Sequence, residues 1–356
     1  MLQLTYSDFL VDILLLLVSL FYYKSARQPA YQNKGSYIFI FITFVLYSTF
    51  GFNSGDFLHY HDLFREISVT KLNLHLEDFY YSLLLLSPNY FIWRFMVWGL
   101  ATFILIMTFK RLNYPPQLTC LIAVLILMYT FSNLRNSLGY VALFYSITFI
   151  TKPLKIKPVS YCLAFLGIWC TIFLHKSMPF YIFVMFISFI PIKKWIIVVS
   201  LALFPILYET FNILAYYFLN TGIGGEDFNV TGMSHLEREQ FSVVNINGLL
   251  QQFINKLPIL ILLFYSLRRI LSFEIQNRTT KLFVTYSYWL IYISFLFYNQ
   301  PTSSFLSPRF WDASLFSLTI ALPLLILKQK DKLLSVSYYL LILSNIYNMS
   351  YALYKL

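Results

Sequence analysis

Acidic side chains are scarce in this chain: 15 Asp and Glu stand against 26 Lys and Arg among 356 residues. Charged residues of both signs make up 12%, where soluble domains carry roughly 25%. That shortage excludes an ordinary soluble globular surface. Only three cysteines occur, Cys120, Cys162 and Cys170, each inside an apolar run, so neither a disulfide framework nor a thiolate metal site is spelled out. There is no Walker motif, no dinucleotide fingerprint and no nucleophile elbow, which leaves no sequence case for ATP, NAD or acyl-serine chemistry. The first eight residues lack a basic stretch, so the first apolar helix is expected to be retained rather than cleaved as a signal peptide.

What the chain does have is hydrocarbon. Residues are 59% hydrophobic, and apolar stretches long enough to cross a bilayer recur along almost the whole length. The expected fold is an all-α polytopic integral membrane protein with about 12 transmembrane helices, forming one transmembrane domain over 1–356. The helices are expected near 6–23, 36–53, 90–109, 115–131, 134–151, 158–175, 178–192, 195–219, 249–267, 282–299, 310–328 and 333–353. Residues 77–88 are apolar but too short to span, and Pro88 ends them; they read as an interfacial or re-entrant helix inside a long loop, 54–89.

The cations divide the connections into two sets. Lys24, Arg27 and Lys34; Lys110 and Arg111; Lys152, Lys155 and Lys157; Lys193 and Lys194; Arg268, Arg269, Arg278 and Lys281; and Lys328, Lys330 and Lys332 fall in alternate connections. Only Glu274 and Asp331 accompany them. By the positive-inside rule these connections face the cytoplasm and both termini face out. The formal charge of +11 is then a topology signal and not a nucleic-acid footprint.

The opposite, outer connections collect the unusual residues. Ser132-Asn-Leu-Arg135-Asn136-Ser-Leu-Gly139 lies between two apolar runs, and at helical spacing residues 132, 135, 136 and 139 share a side. An Arg in that position faces either the headgroups, by snorkelling, or a polar cavity. Helices opening at Ser132, Ser177 and Ser307 each present free N–H groups and a nearby cation: Arg135, His175 with Lys176, and Arg309. Such starts suit phosphate, or are simply capped helices with interfacial cations. Asp56 follows Gly55 and is either a general base at the membrane edge or a capping acid. His59 and His61 with Asp56 and Asp62 are ligand types, but nothing more distant completes a recognised spacing, so no metal is expected. Arg309 and Asp312, three apart, can pair with each other. A glycine-rich loop over 220–248 carries Glu226, Asp227, His235, Glu237, Arg238 and Glu239.

Taken in order, these outer segments resemble the EpsG family of bacterial polysaccharide polymerases, relatives of the Wzy O-antigen polymerases. The resembling pieces are Gly55-Asp56-Phe-Leu-His59-Tyr60 with Phe64, Glu77 before an apolar run, Asn133-Leu-Arg135-Asn136-Ser-Leu, Leu174-His175-Lys-Ser177, and Ser307-Pro308-Arg309-Phe310. They span roughly residues 30–320; Asn136 stands where the family usually has Gln, and Phe57 where Trp or Tyr is common. The resemblance implies a Wzy-like, GT-C-like bundle with an outer-face active site in the bacterial cytoplasmic (inner) membrane. It implies a metal-independent, cofactor-free glycosyltransferase that moves a growing glycan from undecaprenyl diphosphate onto a new lipid-linked repeat unit, making O-antigen, capsule or exopolysaccharide. In that frame Arg135 and Arg309 would hold the donor diphosphate, and Asp56 or His175 would take the acceptor proton. His59, Tyr60, Glu77, Asn136, Ser177, Glu226 and Asp312 would contact substrate, and the 220–248 loop would close over the sugars. The implied partners are undecaprenyl-diphosphate-linked oligosaccharide, the lipid bilayer, a flippase and a chain-length regulator. The alternatives are a lipid-linked oligosaccharide flippase or other transporter, a membrane acyltransferase, and a polyprenyl-dependent glycosyltransferase or polymer ligase.

Overall fold

A computed structural model describes residues 55–70, 76–116, 134–221, 246–272, 277–298 and 306–327, with scattered positions over 37–49 and 119–126. Side chains at 55–59, 134–135, 212, 214–221, 246–255, 306 and 324–327 lie outside the description, as do the expected helices 6–23 and 333–353 and the loop residues 222–245. Every regular element among the described residues is helical. We number them α1 (Gly55–Thr70), α2 (Asp78–Leu86), α3 (Tyr90–Leu112), α4 (Leu134–Thr151) and α5 (Lys157–Ile172). Then follow α6 (Met178–Ile187), α7 (Lys194–Thr221), α8 (Ile246–Leu271), α9 (Arg278–Leu296) and α10 (Leu306–Leu327). Of these, α3 and the Lys194–Phe211 part of α7 are long and apolar enough to cross a membrane.

The chain divides into two compact units, one of Met1–Phe183, Arg278–Thr280 and Thr319–Leu356, the other of Val184–Asn277 and Lys281–Leu318. In the first, α3 packs along α4 and α4 along α5. Asn89 starts α3: its side-chain oxygen accepts the Ile92 N–H at 2.9 Å. Asn113 ends it in the left-handed conformation, its N–H donating to the Phe109 and Lys110 carbonyls. The α4–α5 hairpin is tight because Gly167 lies against Ser146; a Cβ on Gly167 would come within 2.2 Å of Ser146 Oγ. At its turn the Ser160 hydroxyl donates to the Phe149 carbonyl at 2.8 Å and accepts the Leu154 N–H at 3.0 Å.

The far ends of α3 and α4 clasp each other. Arg111 Nη2 donates to the Lys152 carbonyl at 2.7 Å, and Lys152 Nζ donates to the Arg111 carbonyl at 2.9 Å. The Arg111 guanidinium also lies 3.7 Å from the Phe149 ring centre. Their C-terminal ends being together, α3 and α4 run parallel, and their N-terminal ends share the opposite end of the unit.

In the second unit α9 and α10 are antiparallel. Ser294 Oγ donates to the Ser307 carbonyl at 2.8 Å near one end, and Ser317 Oγ donates to the Phe283 carbonyl at 2.8 Å near the other. Tyr288 and Tyr292 tie α9 to α7: Tyr288 hydrogen-bonds the Ser200 hydroxyl, and Tyr292 donates to the Ser200 carbonyl at 2.6 Å.

Several sequence expectations change. The 54–89 segment holds two helices and not one, because Tyr60, Leu63 and Ile67 form a buried stripe at helical spacing along α1. The helix expected to 192 stops at Ile187, four residues before Pro191, whose ring disfavours helix in the residue before it. The last expected helix of this set begins at Leu306, so Ser307 lies inside the first turn and does not cap it, while Pro308 sits where a missing N–H costs nothing.

Candidate functional site

The candidate site is built on the short link between α5 and α6. Phe173 and Leu174 turn the chain, their N–H groups bonding back to Cys170 and Thr171. The Met178 N–H then donates to the His175 carbonyl at 3.0 Å, and Phe180 N–H to the Ser177 carbonyl at 3.1 Å. This locks residues 175–177 as the lead-in to α6. Ser177 precedes the helix as expected, but its hydroxyl does not reach forward. It turns back to His175 Nδ1, 2.7 Å away, and the Ser177 backbone N–H points at the same nitrogen at 3.0 Å.

Those two contacts decide the state of the ring. A backbone N–H can only donate, so Nδ1 must offer its lone pair, and a neutral imidazole then carries its proton on Nε2. Nε2 faces Glu77 Oε1 at 4.0 Å, and the two side chains are only 10% and 9% exposed. At that separation the contact is electrostatic; it is longer than a hydrogen bond. Glu77 immediately precedes α2, which is pinned to α3 by the Trp93 indole N–H donating to the Tyr80 carbonyl at 3.2 Å. Glu77, His175 and Ser177 thus form one chain of polar atoms, assembled from segments far apart in sequence.

The start of α4 lies beside it. Gly139 faces Met178 so closely that a Cβ would fall 2.5 Å from the Met178 sulfur. One residue on, the Tyr140 and Tyr181 hydroxyls meet at 3.0 Å. Asn136 is one turn earlier on the same face of α4, and it is buried, 6% exposed. Its Oδ1 is enclosed with no hydrogen-bond partner among the described residues, which leaves an acceptor open to water or a ligand.

No protein-family model, curated protein or solved structure matches this chain.

Of the expected site residues, Glu77, His175 and Ser177 are brought together, and Asn136 stands in the adjoining turn of α4. Arg135 is the second residue of α4 and shares this end, its side chain outside the description. Asp56 and His59 lie in the first turns of α1, their side chains likewise outside it. Tyr60 is buried, its ring 6.0 Å from that of Trp93. Glu226 lies outside the described residues. Arg309 and Asp312 are partly exposed in the first two turns of α10, in the second unit.

Sequence reasoning missed two features. One is the Tyr140–Tyr181 pair, which carries no local signal. The other is Lys256 of α8, whose ammonium lies 4.4 Å from the Tyr298 ring centre, 5.3 Å from Trp311 and 5.9 Å from Phe295. A lone Lys inside the apolar run 249–267 was the available signal.

Proposed function

We propose that the chain is a polytopic membrane glycosyltransferase of polysaccharide assembly. In this reading it transfers a growing glycan from a polyprenyl diphosphate onto the hydroxyl of a new lipid-linked repeat unit at the outer face of the cytoplasmic membrane. The observation that carries it is the Glu77–His175–Ser177 chain beside Asn136. It offers a proton-accepting imidazole, a hydroxyl and an unmet acceptor, which is equipment for activating a sugar hydroxyl.

Two further features support a membrane setting with this polarity. Large apolar side chains cover the outside of α5 and α7: Phe165 and Trp169 are 60% and 61% exposed, and Trp195, Val198 and Ile206 are 61%, 65% and 64% exposed. So much exposed hydrocarbon is stable against lipid and not against water. Within the first unit the Arg111–Lys152 clasp marks one end and the polar chain the other, as the positive-inside rule orders a cytoplasmic and an outer face. Arg135, at the polar end, would bind the departing diphosphate with its planar fork. The twelve-span topology with both termini outside belongs to the same proposal.

The test is direct. Purified full-length protein in nanodiscs, given undecaprenyl-diphosphate-linked repeat units, should yield chains of two or more repeats without added nucleotide or metal. Quantitative recovery of unextended single units would refute the polymerase reading.

A further inference from the structure

We propose that Ser177 is the catalytic residue that meets the acceptor hydroxyl, and that His175 acts only through it. This rests on the glycosyl-transfer reading above. A free imidazole would be expected to take the acceptor proton directly, but neither ring nitrogen is available for that. Nδ1 already receives both the Ser177 N–H and the Ser177 hydroxyl, at 3.0 and 2.7 Å. Nε2 carries the ring proton and is turned to Glu77. Among the described residues the Ser177 hydroxyl is placed to pass a proton into the ring, and Ser177 is half-buried, not sealed, so a substrate can reach it.

The acceptor hydroxyl attacks the anomeric carbon of the donor; the new C–O bond forms as the bond to the diphosphate breaks, and the diphosphate leaves with the electron pair. The acceptor proton passes to Ser177 Oγ while the proton of Ser177 passes to His175 Nδ1. Serine ends neutral, and the imidazolium is balanced by Glu77, a positioning residue that does not touch the substrate. The proton leaves to solvent when the product departs, resetting the chain.

An independent feature points to the same ligand chemistry. Among the described residues the enclosed Asn136 Oδ1 is an acceptor without a donor, on the α4 face that meets Met178. An unmet acceptor oxygen can take an O–H, so this position suits a hydroxyl of the incoming sugar.

Ser177→Ala separates this from a structural role, because the alanine keeps the backbone N–H that holds Nδ1. The assay is elongation of lipid-linked repeat units by the full-length protein in nanodiscs, with kcat and acceptor KM measured separately. Ser177→Ala should lower kcat about a hundredfold, with KM within about twofold. Ser177→Thr, which restores a hydroxyl, should recover most of the rate. Thermal stability of each variant in the same nanodiscs should match the parent within a few degrees. Parental kcat in Ser177→Ala would overturn the relay while leaving the polymerase reading intact. Loss of rate in Ser177→Thr equal to that in Ser177→Ala, with stability preserved, would also overturn it. Absence of any transfer by the parent would overturn both.

Discussion

Replacing Glu77 by Gln changes one charge and almost no volume, so its effect can be worked from the geometry. The carboxylate faces His175 Nε2 at 4.0 Å, and both side chains are about nine-tenths shielded from solvent. A full charge pair at that distance is worth about 1 kcal/mol in bulk water and about 4 kcal/mol at an effective dielectric near 20. Discounted for the residual solvent at both groups, a value near 3 kcal/mol applies, equivalent to about a hundredfold in rate. The stabilisation exists only while the ring is positive, which in the proposed step means near the transition state. Glu77→Gln should therefore lower kcat about a hundredfold and leave KM nearly unchanged. Glu77→Asp keeps the charge but draws it back by one methylene, and should retain more activity than Gln. The assay is elongation of lipid-linked repeat units in nanodiscs. A raised KM with unchanged kcat in Glu77→Gln would refute the reasoning and make Glu77 a sugar contact instead.

Three other perturbations test separate parts of the reading. Arg135→Lys keeps the charge but loses the two-point fork; cells carrying it should make lipid-linked single repeat units and no long polymer, at normal protein level on a blot. Polysaccharide of normal length would reduce Arg135 to an interfacial anchor, and loss of the exported single unit would point to a flippase. Cysteines introduced singly at Gly225 and Lys155 of a cysteine-free variant should differ toward an impermeant thiol reagent in intact cells, Gly225 labelling and Lys155 remaining protected; the reverse pattern would overturn the orientation. Gly167→Ala should destabilise the α4–α5 hairpin by about 1–3 kcal/mol, since its Cβ would overlap Ser146; adding Ser146→Gly should restore much of the thermal stability, and simple additivity of the two losses would argue against the close contact.

How much of this was written in the sequence depends on whether the cause was local. The bounds of α4, Leu134 to Thr151, were legible because an apolar run stops at Lys152-Pro153 and begins beside polar Asn133. α1 was hidden by its His, Asp, Arg and Glu, which make its average polar although its buried stripe is regular. Ser177 was correctly placed before a helix, yet the rule that such a serine bonds forward failed. The imidazole two residues back is the better acceptor, and Pro179 offers no N–H to compete. Glu77 and His175 were each visible as polar residues near apolar runs. Their meeting was not, because it depends on how α2, α3, α4 and α6 pack, and no spacing rule reaches across separate helices. The rings around Lys256 come from α9, α10 and the turn between them, so the lysine was legible and its surroundings were not.

The clasp between Arg111 and Lys152 bears on how such a protein is made. Each cation is held by a main-chain carbonyl, with no acid involved in either bond. A carbonyl orients a positive group without supplying a counter-charge, so the clasp fastens two helices without an acid. During synthesis, charges of this kind hold a loop back from crossing the bilayer. A carboxylate partner would have fastened the helix ends equally well, but in the proposed topology it would have erased the signal that puts them on one side. In the proposed topology, the residues that decide which side the loops stay on during insertion would go on to hold the finished helices in register, with nothing to be exchanged between the two tasks.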